Sequence, residues 1–119
     1  MKLIIAGGRK FNPTGRDILA LNWISSNFEI TEVVSGCCTG ADEIGEDWAD
    51  SLEIPCVRFP ADWKKHGDAA GPIRNKQMAK YADAAYLFPG GKGTSNMAKE
   101  AIKAGITLIQ HKPFGRSDK

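Results

Sequence analysis

Apolar residues occur along the chain in short unbroken runs, and segments with helical spacing separate them. Leu3 to Ala6 is such a run and stops at Gly7-Gly8, which reads as a buried strand entering a tight turn. Ile18, Leu21, Ile24 and Phe28 then recur at helical spacing, so a helix is expected from about Gly15 to Asn27 with Thr14 as its cap. Thr31 to Ser35, centred on Val33 and Val34, is a second strand ending at Gly36. A second helix follows, capped by Thr39, with Ile44, Trp48 and Leu52 on one face. Ile54 to Phe59 is a third strand. The stretch from Pro60 to Gly71 has no period and reads as irregular. Pro72 suits the first turn of a third helix that carries Ile73, Met78 and Tyr81. Ala84 to Phe88 is a fourth strand. A fourth helix runs from a Thr94 cap to about Lys103, and Gly105 stops it. Ile106 to Gln110 is a fifth strand, and His111 to Lys119 reads as a polar tail.

Continuously apolar strands that alternate with helices predict an α/β fold. The expected form is a Rossmann-like, doubly wound parallel sheet of about five strands with helices on both faces. No repeat or composition break interrupts it, so residues 1–119 read as a single domain.

Composition narrows the function classes. The formal net charge of +2 is too small to argue for nucleic acid, and no basic stripe is present. The three cysteines are odd in number and two are adjacent, which fits a reducing compartment and no disulfide framework. No Cys/His spacing resembles a metal site. The apolar run near the amino terminus is too short for a signal peptide or a membrane span, so a cytoplasmic protein with no membrane partner is expected.

In open α/β sheets ligands bind beyond the carboxyl ends of the strands. Three glycine-containing turns fall there, and each precedes a helix: Gly7-Gly8-Arg9, Ser35-Gly36-Cys37-Cys38-Thr39-Gly40-Ala41-Asp42, and Pro89-Gly90-Gly91-Lys92-Gly93-Thr94. Backbone N–H groups at a glycine turn approach an anion closely, and a helix start adds donors and partial positive charge. Arg9, Arg74 and Lys92 are cations near such ends, where a ligand phosphate would compensate them. On that reading, Arg74 sits at a helix start and its removal leaves the empty fold as stable as before. Trp63 offers a ring for stacking, with Asp62 as an acceptor beside it. His66 reads as an exposed loop residue. Cys37 and Cys38, just before a helix, would have lowered thiol pKa values if exposed. Asp42, Glu43 and Glu46 complement the second helix's dipole, and Asp42 also faces the ligand edge.

As an ordered set, these motifs resemble the YspA-type branch of the SLOG superfamily, together with Trp48-Ala49, Phe59-Pro60-Ala61-Asp62-Trp63 and Gly71-Pro72-Ile73-Arg74-Asn75. That superfamily also includes the Lonely-guy phosphoribohydrolases and the DNA-processing protein A family. The resemblance implies a nucleotide or nucleotide-derived phosphate ligand on the 89–94 loop. The residues it brings together are Gly8, Arg9, Gly36, Asp42, Asp62, Arg74, Asn75, Gly90, Gly91, Lys92, Gly93, Thr94 and Asn96. It also implies a homodimer through a helical face, to which Trp23, Trp48 and Met78 would contribute or which they would leave for the core. The Lonely-guy pattern has an Arg-Lys pair before a methionine and then PGGxGTxxE. Here Asn75 stands in place of the lysine and Met97 in place of the glutamate. A thioether cannot activate water or stabilise an oxocarbenium ion as a carboxylate does. Binding or sensing is therefore the first reading. A hydrolase of N-glycosidic or phosphate bonds that uses Asp42 is the alternative, and single-stranded DNA binding ranks behind both.

Overall fold

The computed structural model describes residues 1–9, 11, 12, 14–37 and 40–111. Five strands form one parallel sheet: β1 (Lys2–Ala6), β2 (Glu32–Ser35), β3 (Cys56–Arg58), β4 (Ala84–Leu87) and β5 (Thr107–Gln110), in the order β3-β2-β1-β4-β5. The helices are α1 (Gly15–Asn27), α2 (Ala41–Ser51), the four-residue α3 (Trp63–His66), α4 (Ala70–Tyr81) and α5 (Lys92–Ala104). A 3₁₀ turn, Gly67–Ala69, joins α3 to α4.

Side-chain alternation along the strands separates two cores. Leu3, Ile5, Val33, Ala84 and Tyr86 face α1 and α2, where they meet Leu21, Ile24 and Trp48. Ile4, Val34, Ala85 and Leu87 face α4 and α5, where they meet Met78, Met97 and Ala101. The chain winds outward from β1 to β3, then returns to β4 and winds the other way to β5. Right-handed crossovers therefore put the first two long helices on one face and the last two on the other. The expected doubly wound sheet is what forms.

Local chemistry explains the helix ends. Thr14 N–H donates to Asp17 Oδ2 at 2.7 Å, so α1 starts on a capping box. Gly105, at φ 75°, ends α5. Several expectations need correction. The stretch from Pro60 to Gly71 is largely helical: Asp62 caps α3 by accepting from Lys65 N–H at 3.1 Å. Thr94 lies inside α5, whose cap position is Gly91. Gly40 is the cap position of α2, and Thr39, Lys10, Cys38 and the tail from 112 to 119 lie outside the described residues. Phe28, Leu52 and Ile73 are exposed, whereas Trp48 and Met78 are buried in the two cores. Trp48 is fully satisfied there, since its Nε1–H donates to Asn22 Oδ1 at 2.9 Å.

His111 departs most from its expected place. Its ring is 2% exposed, and its Nε2–H donates to Asp17 Oδ1 at 2.6 Å. Nδ1 shares a hydrogen bond with the Tyr86 hydroxyl, and the ring packs on Phe88. Asp17 thus serves the start of α1 with one oxygen and the end of β5 with the other. Burial works to raise the Asp17 pKa. The Thr14 N–H, the His111 ring and the Thr14 hydroxyl together outweigh it and hold the carboxyl below its ordinary value of 3.8. Burial first, and then the Asp17 charge, push Tyr86 up to about 12.

A depressed folded pKa makes Asp17 stabilising above its unfolded value, and that stability is lost as pH falls through the folded value. Asp17→Ala is expected to cost roughly 2–3 kcal/mol at neutral pH, from the lost cap and the orphaned His111. In urea unfolding, the gap between wild type and variant closes as pH falls below about 4. A gap that persists at pH 2 would show that the carboxylate charge contributes nothing.

Candidate functional site

The sheet changes winding direction between β1 and β4, and the loops leaving these two strands part at that point. A cavity of about 480 Å³ opens there. Its wall is drawn from the turn after β1, the β2–α2 loop, the first turns of α4 and α5, and Trp63 of α3.

The backbone of one residue sets the spacing of the loops. Gly8 N–H donates to Pro89 O at 2.8 Å, and Gly8 O accepts from Ala41 N–H and Phe11 N–H, each at 3.2 Å. The turn after β1 is thereby joined to both the β2–α2 and the β4–α5 loops. Gly40 takes φ 75° and approaches so closely that a Cβ there would lie 2.3 Å from Gly8 O. No other residue type fits that position.

The sequence-derived candidates converge. Gly8, Arg9, Gly36, Asp42, Arg74, Asn75, Gly91, Lys92, Gly93, Thr94 and Asn96 all lie on the cavity wall. Two do not. Gly90 sits behind the wall, packed against Gly8 N and the Thr94 side chain. Asp62 is spent on capping α3. Sequence reasoning did not pick out Asp68, which lies on the wall in the 3₁₀ turn. Nothing but its closeness to Trp63 in the chain would have pointed to it. Met78 and Met97, each 1% exposed, belong to the core under α4 and α5 and also form the cavity floor.

Ser95 N–H donates to Gly91 O at 3.0 Å as the first bond of α5. The N–H groups of Lys92, Gly93 and Thr94 precede that ladder, at the positive end of the helix. Lys92 and Arg9 are exposed cations beside them.

Arg74 differs from its expected role. It is the fifth residue of α4, past the first turn where a helix dipole opposes a cation. It is 8% exposed: Nη1–H donates to Gly36 O, and Nε–H donates to Asn75 Oδ1 at 2.9 Å. Asn75 in turn donates from Nδ2 to Gly93 O at 3.2 Å and to Asn96 Oδ1 at 3.0 Å. A chain of bonds thus runs from the β2–α2 loop through α4 into the first turn of α5. Gly36 has no room for a side chain, because a Cβ there would lie 2.7 Å from Arg74 Nη1 and 3.0 Å from Asp42 Oδ2.

Cys37 shows no activated thiol. Burial first, and then the Glu46 and Asp42 carboxylates, push the Cys37 thiol above its ordinary value, the reverse of the expected lowering. Glu46 is not idle beside the α2 dipole either. It accepts from Ser35 Oγ–H at 2.6 Å and pairs with Arg58 at 3.0 Å. Among the described residues no cluster of His, Cys, Asp or Glu is arranged to hold a metal ion. No helix among them is long and apolar enough to cross a membrane.

Comparison with known proteins adds a family. Residues 1–66 match the model of the YspA, cpYpsA-related SLOG family. The chain is 36% identical over 118 residues to the Gene 61 protein of Mycobacterium phage D29, covering 91% of this chain and 94% of that relative. No solved structure matches the chain.

Because Arg74 ties two loops together from a buried position, its removal is expected to weaken the empty fold. Arg74→Ala should lose roughly 2–3 kcal/mol in urea unfolding of the ligand-free protein, from the lost bonds to Gly36 and Asn75. An unchanged unfolding midpoint would assign Arg74 to the ligand alone.

Proposed function

We propose that this chain, which belongs to the YspA, cpYpsA-related SLOG family, holds the phosphate of a nucleotide-derived ligand on the first turn of α5. Membership of the family supports a ligand of nucleotide type. The observation that carries the finer reading is the convergence of three strand-end turns and two helix starts on one cavity at the switch point of the sheet. The phosphate accepts from the N–H groups of Gly91 to Thr94 and from the Thr94 hydroxyl. Arg9 and Lys92 neutralise it at the rim, while Arg74 and Asn75 hold the two loops in register around it. Asp42 and Asn96 are placed on the wall to meet hydroxyl or amino groups on the rest of the ligand.

The site binds without cleaving a glycosidic bond. Met97 occupies the floor with a buried thioether, which neither activates water nor stabilises developing positive charge. The role is that of a sensor or ligand-holding domain acting as a dimer in the cytoplasm. The modest charge of +2 gives DNA no extended electrostatic track.

Calorimetric titration with adenosine monophosphate tests the reading. Binding is expected in wild type and is about five- to tenfold weaker in Thr94→Val, which keeps the side-chain shape and loses one hydrogen bond to a charged group. Equal affinity in the two proteins, or no binding by either, would reject this placement of the phosphate. A second measurement addresses chemistry. Chromatography after prolonged incubation of wild type with adenosine monophosphate is expected to show no free adenine. Steady release of the base would overturn the assignment of Met97.

A further inference from the structure

Among the described residues Trp63 is the one large aromatic on the cavity wall, and neither core uses it. It remains 49% exposed although the chain around it is well fixed. Asp62 accepts from Lys65 N–H through its side chain and from His66 N–H at 3.0 Å through its carbonyl, which ties down the turn that carries Trp63. The ring's outer edge reaches α4: Cη2 lies 3.4 Å from where a Gly71 Cβ would sit. Covering the buried Gly71 therefore takes only the tip of the indole, and the rest of the ring remains available to the cavity.

Gly71 and Pro72 of α4 and Asp68 of the 3₁₀ turn share the cavity wall with that ring. The phosphate loop lies further along α4. Gly71 and Asn75 are four residues apart, about 6 Å along the helix axis, and Asn75 bonds directly to Gly93. The cavity thus has a polar, cationic end at α5 and an aromatic end at α3. That polarity matches a molecule with a phosphate at one end and a flat ring at the other.

Resting on the phosphate reading above, we propose that Trp63 is the specificity-determining residue of this site. It stacks on a nucleobase, so the ligand class is nucleoside monophosphates and their derivatives rather than sugar phosphates or other non-aromatic phosphates. Base–aromatic stacking tolerates any base, and its strength corresponds to a gain in affinity of about tenfold or more. The fixed turn at Asp62 presents the indole already in place, so little ordering is needed on binding.

The test titrates adenosine monophosphate, ribose 5-phosphate and inorganic phosphate into wild type, Trp63→Ala and Trp63→Phe, by calorimetry and by tryptophan fluorescence. Wild type is expected to bind adenosine monophosphate at least about tenfold more tightly than ribose 5-phosphate. Trp63→Ala reduces the nucleotide to the affinity of ribose 5-phosphate and leaves ribose 5-phosphate unchanged, which also shows that the site has kept its shape. Trp63→Phe retains most of the preference. The nucleotide quenches wild-type fluorescence, and the quench disappears in Trp63→Phe although Trp23 and Trp48 remain. Equal affinity of wild type for the nucleotide and the sugar phosphate would overturn stacking and leave the phosphate site standing. So would an equal loss for both ligands in Trp63→Ala, or a quench that survives in Trp63→Phe. Failure of all three ligands to bind wild type would remove both readings.

Discussion

The site depends on the backbone of one residue. Gly8 gives its N–H to Pro89 and its carbonyl to the first N–H of α2, so a single residue at the end of β1 fixes the loops that follow β2 and β4. Buried backbone groups must find partners, and here the partners come from three separate crossovers. The close approach this requires explains two of the loop glycines on purely structural grounds. Gly40 presses against Gly8 O, and Gly90 presses against Gly8 N. Loops pinned in this way leave a gap of fixed width between them, and that gap is the cavity.

The second constraint is that one face of the sheet serves two purposes. Under α1 and α2 the core is only a core, held at its far edge by Asp17, His111 and Tyr86. Under α4 and α5 the core continues into the cavity, because Met78 and Met97 pack on Ile4, Val34 and Leu87 and also form its floor. The Arg74–Asn75 pair lies at the boundary. Its bonds run to Gly36 on one side and to Gly93 and Asn96 on the other, so the binding surface inherits the rigidity of the packed interior. A guanidinium in that place is a structural tie first. On the proposed reading, phosphate recognition is left to the backbone of α5 and to the cations at the rim.

Legibility in the sequence followed the range of the interactions. The boundaries of α1 could be read because Thr14 and Asp17 form a local signal three residues apart. The sheet could be read because apolar runs and glycine stops recur along the chain. The helix α3 could not, since four residues give no period, and its cap differs little from an ordinary turn. Thr94 resembled a cap, yet Gly91 already supplies the turn into α5, so the helix starts earlier. His111 looked like the beginning of a polar tail because its partners, Tyr86 and Asp17, are 25 and 94 residues away. The wall residues that follow β1, β2 and β4 were legible as a set, since they sit in or beside glycine turns at strand ends, whereas Asp68 in the 3₁₀ turn carries no such signal. Which of them bond to one another was not. Arg74 and Asn75 are adjacent in sequence, and only the packing of α4 on α5 shows that they form a bridge rather than two separate ligand contacts.

The floor of the cavity links stability to the chemistry proposed for the site. A carboxylate at position 97 would have to lie where Met97 now lies, 1% exposed among Ile4, Val34 and Met78. Burial without a fixed counter-charge would cost several kcal/mol or force the group to hold its proton. The cation nearest in the sequence pattern, Arg74, is already engaged with Gly36 and Asn75. Position 97 is thus better filled by a side chain that packs, and methionine is adaptable enough to pack while leaving the cavity open. On the proposed reading, a methionine here withholds bond cleavage and leaves the phosphate loop unaltered, because that loop would draw on backbone N–H groups of α5 and on no acidic group. Binding and cleavage would then be physically separable in this fold.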